Sequence, residues 1–238
     1  MTSPQRELST LHVLSGGAAQ AIVRAIGEDF RAATGASVHG TFGAVGAMRE
    51  KLFAGERCDA VILTAALVAE LEREGRVLAG TAAPLGRVRT GVAVRAGEAM
   101  PDITDGPALR ATLLAAEAIY FPDPKLATAG IHFVNVLRQL GIDEIVAPRL
   151  FPYPNGATAM RELATATGRG LVGCTQITEI RYTPGVTLVG PLPAEFELTT
   201  VYTVAVSAGA REPDLARRFA ALLSGPATRS MRERAGFE

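Results

Sequence analysis

Residues 11–14 (LHVL) are mainly apolar, Ser15, Gly16 and Gly17 interrupt them, and Ala19, Ile22, Val23, Ile26 and Phe30 return at spacings of three and four. That pattern predicts a buried strand, a tight turn and an amphipathic helix over 19–30. The arrangement repeats downstream. Residues 37–42 (SVHGTF) read as a second strand, the glycine-bearing turn 43–48 follows, and a helix spans 47–54. Residues 58–64 (CDAVILT) form a nearly continuous apolar run, as in a parallel strand covered on both faces, and the helix at 65–74 stops at Gly75. Strands alternating with helices at this rhythm indicate right-handed βαβ units, whose ligands lie at the carboxyl ends of the strands. Ser15, Phe42 and Thr64 occupy such ends.

A long strand at 84–95 and another at 199–207 bracket a second series. It contains a strand at 118–121, a loop at 123–130 and a helix at 131–140 stopped by Gly141. Asn155 is the expected N-cap of a helix at 158–165, followed by strands at 170–175 and 186–189. A periodic helix at 213–223 closes at Gly225-Pro226. The two long strands are expected to connect two lobes, one formed by residues 1–87 and 203–238 and the other by 88–202 including the hinge strands.

Composition narrows the partners. Twenty-four basic residues balance 24 acidic ones, with no basic run, so nucleic acid is not expected. No apolar run approaches the ~18–20 residues of a membrane span. The polar lead MTSPQRELSTLHVLS lacks the apolar centre of a secretory signal, which reads as cytoplasmic for the sequence as written and periplasmic if a leader was trimmed. Cys58 and Cys174 are the only cysteines, and His12, His39 and His132 are scattered, so neither a metal nor another cofactor is expected.

The whole chain resembles the class II solute-binding proteins of the molybdate-binding type. The segments that carry the likeness are LHVLSGGAAQAIVRAI, FGAVGAMREKLFAG, CDAVILTAAL, LVGPLPAEFE and FAALLSGPATRSMRERAGF, in that order. The resemblance implies a two-lobed α/β fold of the class II periplasmic-binding-protein kind, each lobe a mostly parallel sheet flanked by helices, with a two-strand hinge closing on a small anion. It also implies a link to ABC transporters, although the transporter partner stays open. The family's oxyanion ligands are not reproduced, since its serines correspond to Ala18 and to Ala44 or Val45, and its tyrosine to Gly173. The segment PGVTLVGPLPAEFE is similar to a subgroup that includes aconitate isomerase.

The donors expected at the turns are backbone N–H groups at Gly16, Gly17, Gly43, Ala44, Ala129, Gly130, Gly156 and Ala157. Side chains expected beside them are Ser15, Thr41, Phe42, Thr64, Thr128, Asn155, Thr158, Cys174, Thr175 and Gln176. Arg89, on the expected hinge, could receive a carboxylate in its bidentate fork. With 4 Tyr, 9 Phe and no Trp, a small carboxylate suits this inventory better than a sugar. Two functions follow: a binding protein for a small organic anion, or an isomerase of an unsaturated carboxylic acid. For the second, His132 is the candidate acid or base, with His39 and Cys174 behind it.

Overall fold

The computed structural model describes residues 9–238; residues 1–8, which hold most of the polar lead, lie outside the described residues. In chain order the elements begin with β1 (Thr10–Gly16), a 3-10 turn at Gly17–Ala19, α1 (Gln20–Ala25), α2 (Gly27–Thr34), β2 (Ser37–Gly43) and α3 (Val45–Phe53). Next come β3 (Ala60–Thr64), α4 (Ala65–Arg73), β4 (Ala83–Arg95), α5 (Gly106–Ala115), β5 (Ala118–Pro122), α6 (Thr128–Gln139) and α7 (Asp143–Val146). The rest are β6 (Leu150–Tyr153), α8 (Gly156–Thr165), β7 (Leu171–Gln176), α9 (Ile177–Tyr182), β8 (Val186–Pro191), β9 (Thr199–Val206), α10 (Pro213–Ser224) and α11 (Arg229–Ala235).

The strands pair in the order β2-β1-β3-β9-β4-β7-β5-β6, with β8 on β4. β1 pairs in parallel with β2 and β3, and β5 in parallel with β6 and β7. These two parallel sets are the sheets of two lobes, joined through β9 and β4 into one nine-stranded sheet. β4 belongs to both sheets: residues 83–89 pair with β9, whereas residues 90–95 pair with β7 and β8, all antiparallel. β9 pairs with β3 and with the first part of β4, so it lies in the first sheet over its whole length.

Each sheet buries its own apolar cluster. Ile22, Ile26 and Phe30 pack with Val13, Ile62, Phe219 and Leu223 in the first lobe, all within 1% of full burial. Leu109, Leu113, Phe121, Phe133 and Leu137 form the centre of the second, and Ala159, Met160, Leu163 and Ile180 cover its other face. At roughly 1.5–3 kcal/mol for each large side chain withdrawn from water, these clusters fix where the strand ends lie.

Several elements differ from the sequence reading. The helix expected over 19–30 is two helices broken at Ile26, whose N–H still reaches the carbonyl of Ile22. α6 begins at Thr128, three residues earlier than expected, because its first turn is made of the small residues Thr128, Ala129 and Gly130. α5, β6, α7 and α11 were not expected, although α5 carries a clear start: Asp105 accepts from the N–H of Ala108 at 2.8 Å and Pro107 sits in the first turn.

A cleft of uncapped helix ends around a buried carboxyl group

The carboxyl ends of β1, β2, β5 and β7 meet between the lobes; those of β1, β2 and β5 lead into a turn or helix whose first residues are mostly small, whereas β7 runs straight into α9 at Ile177. The turn after β1 begins at Gly17, α3 at Val45 and α6 at Thr128, and none of these three starts has a side-chain cap. Their first N–H groups therefore have no partner in their own helix, and the helix dipoles add positive potential there. α8 differs, since Asn155 accepts from the N–H of Thr158 at 2.8 Å. The resulting cleft is narrow, with about 260 Å³ of empty space.

One N–H group crosses the cleft. That of Gly46, in the first turn of α3, donates to the carbonyl of Leu126 at 3.0 Å. A Cβ at Gly46 would lie 3.0 Å from that same oxygen, so the absence of a side chain permits the approach.

At the centre stands Glu179, in the first turn of α9. It is 6% exposed, and its Oε2 accepts from the hydroxyl of Thr175 at 2.6 Å. Side chains on Gly17 or Gly156 would collide with its carboxyl oxygens, Oε1 on the Gly17 side and Oε2 on the Gly156 side. Burial pushes its pKa up, while the Thr175 hydroxyl and the N–H groups of Ala157, Gln176 and Gly156 pull it down. Among the described residues it has no cationic partner within salt-bridge distance. Tyr202 of β9 lines the same cleft, and its hydroxyl is pushed up by burial and then by the charge of Glu179. Beside it, Gln176 is 3% exposed, and neither atom of its side-chain amide makes a hydrogen bond among the described residues.

The structure brings together much of the expected set. Gly17, Gly43, Ala44, Thr128, Ala129 and Asn155 line the cleft, as do Gly156 and Gln176. Thr175 and Ala157 reach it through Glu179. Gly16 packs beneath it, where a Cβ would meet Val45 and Tyr202. Thr64 lies at the outer opening with Thr128 and Thr200, where the Thr200 hydroxyl is also buried and unpartnered.

Other expected residues are used elsewhere. Arg89 does not line the cleft: its Nε and Nη2 donate to Glu238 at 2.9 and 2.6 Å, with Glu197 at 3.9 Å. His132 does not line it either; it lies on the second turn of α6, with Nε2 2.7 Å from the carbonyl of Phe196. Cys174 points into the second core, and burial pushes its thiol up. Ser15 bonds to the carbonyl of Gly16, and Thr158 to the Asn155 cap. Gly130 packs against the carbonyls of Pro122 and Asp123. Thr41 and Phe42 belong to the edge strand β2, and Phe42 lies under the guanidinium of Arg24. His39 is exposed, 5.2 Å from the ring of His12 on β1. Gly173 faces Met160 and Leu163 of α8, so the family's tyrosine position is not a cleft position here.

Glu179 and Tyr202 were missed. A signal for Glu179 was present, since it is the one carboxylate in 171–180 (LVGCTQITEI), a run buried at every position. Tyr202 sits in an ordinary alternating strand and announces nothing.

Comparison with known proteins places this geometry. The solved periplasmic molybdate-binding protein of Azotobacter vinelandii superposes with a TM-score of 0.79 at 18% identity, over 96% of this chain and 98% of that one. The sulfate-binding protein of Mycobacterium tuberculosis superposes with a TM-score of 0.72 at 19% identity, over 96% and 86% respectively. An aconitate isomerase from a Pseudomonas species is 26% identical over 219 residues, 88% of this chain and 80% of its own length. Residues 11–238 match the bacterial extracellular solute-binding protein family, and the chain belongs to that family.

Proposed function

We propose that the chain holds a small organic anion, a carboxylate, in the cleft between its lobes. The observation that carries this reading is the convergence of three helix or turn starts without side-chain caps, at Gly17, Val45 and Thr128, on one narrow space. Their N–H groups suit a carboxylate, and the unpaired amide of Gln176 offers a donor and an acceptor beside them. A tetrahedral oxyanion fits less well, because Ala18 and either Ala44 or Val45 stand where the resemblance to the molybdate-binding type implies hydroxyls, and the carboxyl group of Glu179 lines the same space. The closing bodies in this reading are residues 1–87 with 203–238 and residues 88–202; the change of strand partners along β4 between Arg89 and Thr90 supports a division close to the first bound, whereas β9 stays with the first sheet on both sides of the bound at 202.

Calorimetry against molybdate, sulfate, cis-aconitate and trans-aconitate tests the proposal. Binding of a carboxylate with no heat from molybdate is expected. Tight molybdate binding would overturn it.

A second reading, isomerisation of an unsaturated carboxylic acid, is favoured by a separate observation: the likeness to an aconitate isomerase runs over most of both chains. No helix among the described residues is long and apolar enough to cross a membrane.

A further inference from the structure

Glu179 is placed as few buried carboxyl groups are. Oε2 lies on the α8 side with Thr175, and Oε1 lies against the turn at Gly17 in the other lobe, so one side chain spans the cleft. A structural carboxylate at this depth ordinarily has a cation beside it, and Glu179 has none among the described residues. Asn155 takes the N–H of Thr158 at the start of α8, and the N–H groups of Gly156 and Ala157 before it act on Glu179, which holds the carboxyl group at that wall of the cleft. The remaining polar groups at its side are an unpaired amide, Gln176, and a buried phenol, Tyr202.

We infer that Glu179 is the acid–base group of the cleft, moving a proton between the two ends of a three-carbon unit in an unsaturated carboxylic acid. This deepens the cleft reading and rests on it. A C–H bond next to a substrate carboxylate breaks, its proton passes to a carboxylate oxygen of Glu179, and the electron pair spreads over the allylic carbons and their carboxylate. Glu179 exchanges that proton with solvent and delivers a proton to the far carbon, and the double bond has moved by one position. Composition and oxidation state are unchanged, so no co-reactant is required. The N–H groups at the starts of α3 and α6 face the charge that develops. Burial makes the ionised form of Glu179 a stronger base than an exposed carboxylate. Tyr202 on β9 is the titratable group facing it, while Arg181 on its own helix is directed at Gly236.

The test uses the whole chain with trans-aconitate in deuterated water. Calorimetry reads binding, and proton NMR reads loss of the methylene signal and growth of the cis isomer. Wild type is expected to bind and exchange, and Glu179→Gln to bind within about threefold while exchanging at least about a hundredfold more slowly, the lower range for loss of an acid or base. Undiminished exchange in Glu179→Gln overturns the inference. A wild type that binds the probe without exchange also overturns it and leaves the cleft reading standing, whereas failure to bind either aconitate isomer removes both. Should Glu179→Gln fail to fold, Thr175→Val supplies the readout: losing the hydroxyl that lowers the pKa of Glu179 moves the acidic limb of the pH–rate profile to higher pH. An unmoved limb overturns the assignment.

Discussion

Replacing Glu179 by Gln should change how the stability of the fold depends on pH, whatever ligand the cleft takes. Burial, the largest influence, raises the folded pKa of Glu179 above its unfolded value. A group raised in this way stabilises the folded state in full only below the unfolded pKa, and that contribution is lost as pH rises towards the folded pKa. Wild type should therefore lose stability relative to Glu179→Gln from about pH 4.3 upward. The slope approaches about 1.4 kcal/mol per pH unit, or about 3–5 °C in Tm for a chain of this size. Gln also places an amide where the N–H groups of Gly156 and Ala157 point, so the variant carries a constant offset. The diagnostic is the change of the difference with pH, obtained from thermal melts of both proteins between pH 4 and 9 in one buffer series. A difference that stays flat, or that grows in favour of wild type as pH rises, would refute the account of Glu179 as a buried carboxyl group without a cation.

Other perturbations follow from groups outside the centre. Asp59 is fully buried and accepts from the N–H groups of His12, Arg211 and Glu212 at 2.8, 2.8 and 3.3 Å. Asp59→Ala strands these donors and should cost on the order of 3 kcal/mol in urea unfolding; a loss under 1 kcal/mol would show that water takes over their bonds. Arg89→Ala breaks an ion pair whose side chains are 32% and 45% exposed, so it should cost less than about 1 kcal/mol and leave ligand affinity unchanged; weakened binding by calorimetry would return Arg89 to the site. Gly46→Val drives a side chain against Leu126 and should weaken ligand binding by on the order of tenfold, about 1.4 kcal/mol, through the closed form. Equal affinities would mean that the lobes need not approach there. Burial pushes the Cys58 thiol up to about 12, so a disulfide reagent at pH 8 should leave it unmodified until the chain is denatured.

The first lobe was readable because its signals are local. β1 and β3 are largely apolar, β2 is a short stretch of strand-forming residues, all three end in glycine or threonine, and each is followed by a turn or helix. The same locality placed Gly17, Gly43 and Ala44 at strand ends that meet in space, and Gly156 at a helix start beside them. What failed depended on distant partners. Arg89 looked free because the residue that takes its fork, Glu238, lies 149 positions away. His132 carries no mark of the carbonyl of Phe196 that holds it. Glu179 was passed over because acids on short helices are usually solvated, and only the packing of α9 on the turn after β1 buries this one. β6 (LFPY) was missed for a related reason, since two of its four residues are exposed on an edge strand and one is proline.

The hydrogen bond from Gly46 to Leu126 and the seating of Glu179 on both walls have a kinetic consequence. With the protein's own groups already joining its lobes, the closed form has a low free energy even without ligand, and solute must wait for the cleft to open before it can enter. Association followed in a stopped-flow instrument should then level off, or slow, as solute concentration rises, in place of increasing without limit. Gly46→Val, by loosening the closure, should restore a rate proportional to concentration while shortening the lifetime of the complex. The interlobe contact that lengthens residence in this way also sets the waiting time for entry.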